Sequence, residues 1–338
     1  MLMNKFTTFS NDISEHYSKK IITNYSPSSG YRCRCEFGYY KNSYIMHKNN
    51  KKIYMETFVN AASCIQEIMP NILNEINNNK HIKEKLFQIN FRSNVNNDVM
   101  VTLIYHKNID NNLIKIIEDI SKKLKINILL RSKKFLFSTN SKYFIDYINN
   151  GDYRIYQTDN CFFQPNLFML PKMVDAVISL IHNPIDLLEL YCGVGTFTLP
   201  LSKLFIKILA TENDRNSIKC INKSLIDNNI NNISNARLSS NEVSDLFMGK
   251  GFRRMGDINI SDYDFTHVLV DPPRSGLDDK TIEIIKNFEN IIYISCNPKT
   301  YINNIKSLTS HTIEYVELFD QFPNTNHLEI ISLLRRSN

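Results

Sequence analysis

Residues 186–196, DLLELYCGVGT, decide the fold. A leucine-rich run of five residues passes directly into Tyr-Cys-Gly-Val-Gly, the pattern of a short buried strand entering a tight turn. Gly193 and Gly195 free the backbone to turn sharply and to approach a bound ligand. The next apolar run, 206–211, ends in Glu212, 17 residues after Gly195. An acid in that place can accept both hydroxyls of a ribose. The chain lacks a full GxGxxG and any Walker-type lysine, which argues against a dinucleotide or a triphosphate. A glycine turn with a strand-end acid is the arrangement that S-adenosylmethionine enzymes use, although an ordinary α/β turn reads the same way.

Working outward, helical and strand patterns alternate. Helical spacing covers 166–181 (with Pro171 in its first turn or kinking it), 216–228 and 280–288. Strand-like runs cover 236–238, 266–270, 291–294, 315–318 and 330–334. This alternation predicts a doubly wound, mostly parallel sheet across residues 156–338. The interval 240–264 is longer than a normal connection and reads as an insertion that exposes Lys250, Arg253 and Arg254. Residues 1–155 differ. In YRCRCEFGYY, 31–40, Tyr31, Cys33, Cys35 and Phe37 share one face while Arg32, Arg34 and Glu36 share the other. Further strands at 43–47, 86–92 and 99–106, with helices at 57–76 and 113–125, predict a smaller α+β domain. A linker follows around 149–152, where NNGD marks a turn. Outward arginines on a sheet suit RNA, and they equally suit any exposed antiparallel strand.

The chain has 338 residues, 43% of them apolar, and a net charge of +6. The charge is uneven: residues 1–155 hold 23 Lys+Arg against 13 Asp+Glu, and the remainder 17 against 21. A basic first half predicts a polyanionic partner, and a solvated lysine-rich surface would look similar in composition. No apolar run approaches the roughly 20 residues of a membrane span. The opening residues lack a signal-peptide pattern, so a soluble, cytoplasmic protein is expected. Seven scattered cysteines form neither a disulfide framework nor a zinc pattern.

Three motifs carry chemistry. DPPRSG, 271–276, ends a strand in a rigid loop, where Asp271 is ligand-facing and Arg274 can reach a phosphate or a base. IIYISCNPKT, 291–300, presents Cys296 at a strand's carboxyl end. A cysteine taken alone is more often a small buried apolar residue. Glu329, 33 residues later, closes FDQFPNTNHLE, 319–329. A thiolate and a carboxylate can together methylate a pyrimidine: the thiolate adds to C6 and makes C5 nucleophilic, and the carboxylate then removes the C5 proton. Such a nucleophile is expected to have a depressed pKa.

DPPRSG followed by IIYISCNPKT resembles the signature of the RNA uracil-C5 methyltransferase family, and FDQFPNTNHLE is similar to that family's second signature. Within the family the likeness is to the branch acting on tRNA and tmRNA, and it spans nearly the whole chain, from YRCRCEF and KLFQINF onward. It implies a Rossmann-like S-adenosylmethionine-dependent catalytic domain over 156–338, preceded by a tRNA-recognition domain over 1–155. It places Cys296 as nucleophile and Glu329 as base, with Gln164, Tyr191, Thr196, Glu212 and Asp271 at the S-adenosylmethionine contacts beside the turn at Gly193. It places Phe162 and Arg274 at RNA, beside the outward Arg32 and Arg34. The implied substrate is uridine 54 in the T-loop of tRNA, with the equivalent uridine of tmRNA as a further one. The implied enzyme is monomeric, with no metal. The early cysteines cannot ligate the iron–sulfur cluster of the ribosomal-RNA members, and the segment before residue 31 is too short for their added β-barrel. Three positions depart from the pattern: Thr196 stands for an asparagine, Asn324 for a larger Gln, His or Tyr, and Pro171 interrupts a normally unbroken helix. Cytosine-C5 methylation is disfavoured because the loop reads Pro-Pro-Arg, not Pro-Cys. A tRNA-binding folding factor is the alternative of another class.

Overall fold

All five residues of strand Asp186–Leu190 are buried, the leucines together with Asp186 and Glu189, so it is covered on both sides. The computed structural model, which describes residues 5–48 and 51–337, puts that strand inside an eight-stranded sheet. The sheet belongs to the larger of two units, Met1–Ser26 with Tyr147–Phe163 and Phe168–Asn338. The smaller unit is Pro27–Asp146 with Gln164–Leu167.

Across the sheet the strands run Ile22–Asn24, His311–Phe319, Glu329–Arg336, Asn290–Ser295, Phe265–Val270, Asp186–Leu190, Lys207–Thr211 and Ile233–Ala236. Every neighbouring pair is parallel except the two made by Glu329–Arg336, which runs antiparallel on both sides. From Asp186–Leu190 the chain winds to one side, then crosses back to Phe265–Val270 on the other. That reversal is a topological switch point, and ligands of such sheets bind beyond the carboxyl ends of the strands there. Because Glu329–Arg336 runs the other way, its first residue lies at that same edge.

Local signals set the helices that frame the edge. Asp214 caps helix Arg215–Asp227 by accepting from Ser217 N–H at 2.7 Å. Ser239 and Glu242 form a capping box on helix Ser240–Phe247. Asn297 caps helix Pro298–Ser307, whose first position suits proline because no N–H is needed there. Pro171 lies in the first turn of helix Met169–Ser179, which begins three residues later than the spacing predicts. In the insertion, Lys250 binds Asp245 at 3.0 Å and Arg254 pairs with Glu242, so much of its basic charge is locally neutralised.

The smaller unit is α+β. Its seven strands run in the order Lys51–Met55, Ser43–Lys48, Arg34–Tyr40, Leu86–Ser93, Val99–Tyr105, Asn127–Ser132, Phe135–Ser138. Helices Ser63–Asn78 and Asn111–Leu124 supply Ile65, Met69, Leu113 and Ile117 to a core shared with Phe37, Ile89 and Leu103 of the sheet. The alternation at 31–37 holds: Tyr31, Cys33, Cys35 and Phe37 are buried, and Glu36 is exposed.

One difference concerns the division of the chain. A single cut after residue 155 assigns the first residues to the smaller half, whereas the fold assigns Met1–Ser26 to the larger unit. Helix Lys5–Ile13 buries Phe6, Phe9 and Ile13 in the core beneath the eight-stranded sheet, each worth roughly 1.5–3 kcal/mol. Strand Ile22–Asn24 pairs with Glu317, Leu318 and Phe319. Pairing over so long a separation leaves no local pattern. NNGD forms the turn its residues predict, the 3-10 turn Asn149–Gly151 between strands Phe144–Ile148 and Tyr153–Gln157, while the chain passes between units slightly earlier, at Asp146 and Tyr147. Among the described residues no helix is long and apolar enough to cross a membrane.

Candidate active site

The turn after Asp186–Leu190 is built from left-handed residues: Tyr191 at φ 61°, Gly193 at φ 57° and Gly195 at φ 92°. A Cβ on Gly195 would stand 2.5 Å from Leu199 Cδ1 and 3.1 Å from Ile221, so this glycine lets the next segment pack. A Cβ on Gly193 would meet nothing within 4 Å, which leaves open space beside the backbone at that point. Gly193 N–H donates to Glu212 Oε2 at 3.1 Å, and Asp214 N–H donates to Oε1 at 2.7 Å. The Glu212 carboxylate is therefore fixed beside the glycine turn and keeps lone pairs for a further donor. Tyr191 contributes its strained backbone here. Its half-buried phenol is pushed up by burial and eased by hydrogen bonding to Ser240 and Thr281. Thr196, buried, follows the turn.

Asp271 ends the neighbouring strand, and the loop after it is locked from one side chain. Asn304 accepts from Leu277 N–H at 2.9 Å and from Tyr293 Oη at 2.7 Å, and donates back to Leu277 O at 3.0 Å. Asn297 Nδ2 donates to Arg274 O at 2.9 Å, tying this loop to the segment that carries Cys296. The guanidinium of Arg274 lies against the ring of His327, 3.3 and 3.4 Å from its two nitrogens.

Strand register brings Cys296 and Glu329 together. Ser295 pairs with Ile330, and Glu329 pairs with Phe319 on its other side. The ladder stops at the Ser295–Ile330 pair, so Cys296 follows the last paired residue of one strand and Glu329 precedes the first paired residue of the other, close enough for the carboxyl to act on the thiol. Cys296 is half-buried and Glu329 is 7% exposed. Oε2 of Glu329 finds no hydrogen-bond partner among the described residues. A buried polar atom left unpaired beside a thiol is an acceptor reserved for something else.

The electrostatics overturn one expectation. The Cys296 thiol is not depressed but pushed up to about 11, first by burial and then by Glu329 and Asp271, with Arg274 opposing. Burial and Asp271 hold Glu329 well above the usual carboxylate range, and burial pushes Asp271 up to about 7. Three acidic groups influence one another near the exposed guanidinium of Arg274, and burial with mutual repulsion raises each of them. Displaced acids clustered at a sheet edge are characteristic of catalytic sites.

Of the other expected residues, Gln164, Arg32 and Arg34 belong to the smaller unit. Gln164 is 4% exposed, and the adjacent Pro165 O accepts from Cys33 N–H at 2.9 Å. In that unit Arg32 bridges to Ala61 and Asn166 through its backbone, and Arg34 pairs with Glu36 at 2.7 Å. Phe162 is 63% exposed, a large aromatic left in water. Asn304 was missed by sequence reasoning. Its one signal was a polar residue on the helix face shared by Tyr301 and Ile305. No group of three or more His, Cys, Asp or Glu that could hold a metal occurs among the described residues.

Against known proteins, the family model described as tRNA (Uracil-5-)-methyltransferase matches residues 1–337. The chain belongs to that family. It is thus an RNA uracil-C5 methyltransferase by descent. A tRNA/tmRNA (uracil-C(5))-methyltransferase of Campylobacter lari is 43% identical over 327 residues, covering 94% of this chain and 93% of that one. The protein of the same name from Teredinibacter turnerae is 38% identical, covering 92% and 89%. In fold the chain is similar to the Pyrococcus abyssi tRNA (uracil-54, C5)-methyltransferase, crystallised with S-adenosyl-L-homocysteine. The TM-score is 0.77 at 18% identity, covering 98% of this chain and 82% of that one. The larger unit therefore has the Rossmann-like methyltransferase fold.

Proposed function

We propose that the protein transfers a methyl group from S-adenosylmethionine to C5 of uridine 54 in the T-loop of tRNA, and that the equivalent uridine of tmRNA is a second substrate. The observation that carries this reading is the register that brings Cys296 and Glu329 to the same carboxyl edge of the sheet, where the carboxyl acts on the thiol. The turn at Gly193 fits the donor, because it combines open space beside the backbone with a fixed carboxylate, Glu212, at its rim. Glu212, Asp271 and the Tyr191–Thr196 turn would hold the donor, which when bound supplies an electrophilic methyl.

The chain's own residues do the rest. Cys296 sulfur forms a bond to C6 of the flipped uridine, and C5 becomes nucleophilic and takes the methyl. Glu329 then accepts the C5 proton, the double bond re-forms, and the C6–S bond breaks to release product. Burial and neighbouring carboxyls raise both groups, and Arg274 is the cation that opposes the rise at Cys296 and Glu329 alike. The smaller unit, with its half-buried Arg32 and Arg34, is the candidate grip on the T-arm, and Phe162 and Arg274 are candidates to meet the displaced loop.

Mapping methylated nucleotides on total RNA, with and without the protein, tests the reading. 5-Methyluridine should occur at position 54 of tRNA, absent with Cys296→Ala. Glu329→Gln should retain a covalent RNA–protein adduct. Methylation at another base, or turnover by Cys296→Ala, refutes it.

A further inference from the structure

We infer that Lys5 is a positioning residue for the catalytic base, an assignment that rests on the roles of Cys296 and Glu329 proposed above. Its Nζ donates to Asp320 Oδ1 at 2.5 Å, to His327 O at 2.7 Å and to Phe322 O at 3.2 Å. An ammonium has three donors, and all three are taken. All three acceptors lie within residues 319–329, the segment that ends in Glu329, although Lys5 is 315 residues away from Asp320 in sequence. The Lys5 side chain is only 12% exposed and that of Asp320 11%. A lysine so enclosed is held by specific partners, not by solvent.

The geometry explains why this segment needs a clasp. Residues 324–327 are exposed and carry no strand pairing, while Leu328 and Glu329 behind them are buried. Two of the Lys5 bonds fall on carbonyls either side of that exposed turn, so the cation fixes the path of the chain into Glu329. Helix Lys5–Ile13 is itself anchored: Phe6 packs edge-on against Tyr25 at 4.8 Å, and Phe9 meets Tyr301 at 6.0 Å. Asp320 N–H donates to Asn24 O at 2.9 Å, a second brace from the same early segment. A cavity of about 350 Å³, lined by Lys5, Thr8, Asn297, Lys299, Asn326 and Leu328, gives the loop room to shift once the cation is gone. Cys296 sits on a different loop, which the bond from Asn297 Nδ2 to Arg274 O ties to the segment after Asp271. Removing Lys5 should therefore spare addition of sulfur to C6 and slow the later transfer of the C5 proton to Glu329, the step whose electron pair rebuilds the ring double bond and expels the sulfur.

Covalent adducts separate the two steps. The full-length protein is incubated with S-adenosylmethionine and a tRNA transcript containing either uridine or 5-fluorouridine, and protein–RNA adducts are resolved on denaturing gels. With 5-fluorouridine no C5 proton exists to be removed, so the adduct persists whatever the base does. Lys5→Gln should form that adduct as fast as the parent. On ordinary transcript it should accumulate adduct and lose roughly tenfold to a hundredfold in kcat, at unchanged KM for RNA. Asp320→Asn should move the same way, and Lys5→Arg should recover most of the rate. Lys5→Gln turning over like the parent with no adduct overturns the inference, as does equal loss of both adducts. A parent protein that forms no adduct with 5-fluorouridine overturns the Cys296 reading instead.

Discussion

Alkylation of Cys296 should titrate far above an ordinary thiol. Burial, then Glu329 and Asp271, push it to about 11 from a usual 9.0. At pH 7 about one molecule in ten thousand then carries the thiolate, against about one in a hundred for an unperturbed thiol, a difference of about 2.7 kcal/mol. Brief iodoacetamide pulses on RNA-free protein, with the Cys296 peptide quantified by mass spectrometry, give the rate at each pH. Its logarithm should rise with unit slope through pH 10 and bend near 11. The bend should move down in Glu329→Gln, which loses a neighbouring carboxylate, and up in Arg274→Ala, which loses the opposing cation. Buried Cys33, Cys35 and Cys192 are internal controls that should stay unlabelled. A bend at or below 9 in the parent, or one unmoved in both variants, refutes the claim that burial and flanking carboxyls govern the nucleophile.

Glu189, 1% exposed on the central strand, is pushed up to about 8, chiefly by burial. The folded protein keeps a proton that the unfolded chain loses above its ordinary 4.5, so this contribution is complete at acid pH and drains away as pH rises to about 8. The loss is at most about 5 kcal/mol. Glu189→Gln removes the titration, so urea midpoints at pH 5 and pH 8 should shift in the variant's favour at the higher pH, and parallel shifts in both proteins would count against it. Gly276→Ala places a Cβ 2.5 Å from Asn304 Oδ1 at φ 76°, which should cost about 2–4 kcal/mol and lower Tm, together with activity, by loosening the Arg274 loop. A change within about 0.5 kcal/mol, the size of an ordinary surface substitution, would show that Asn304 does not clamp this loop.

Much of the larger unit could be read from residues because its signals are local. DLLEL is strand over the five positions expected, and the run 291–294 gains one residue at each end. The glycine turn, Asp271 and Cys296 stand just past strand ends and Glu329 opens a strand, and both kinds of place are marked by breaks in apolar runs. Strands Lys51–Met55, Asn127–Ser132 and Phe135–Ser138 escaped notice because lysines, asparagines and short lengths mask their alternation. The depressed thiol was a wrong expectation for a different reason. The carboxyls that raise it come from residues 271 and 329, and no neighbour of Cys296 in sequence announces them. Asn324 is the one departure from the family pattern with a backbone explanation: it sits at φ 62°, where asparagine is tolerated better than a bulky side chain.

Insertion of the antiparallel strand between Asn290–Ser295 and His311–Phe319 also dictates when the enzyme can come into being on the ribosome. Residues 22–24 emerge early, yet their pairing partners in the sheet are synthesised 295 positions later. Closing so long a loop adds little to the equilibrium cost, since that grows only with the logarithm of length, but it slows the search. Until residues 329–336 are made, Asn290–Ser295, all six of whose residues end up buried, offers a bare apolar edge to any other nascent strand. The nascent protein should therefore be a demanding client for chaperones, and catalytically silent until the strand carrying Glu329 has slotted in.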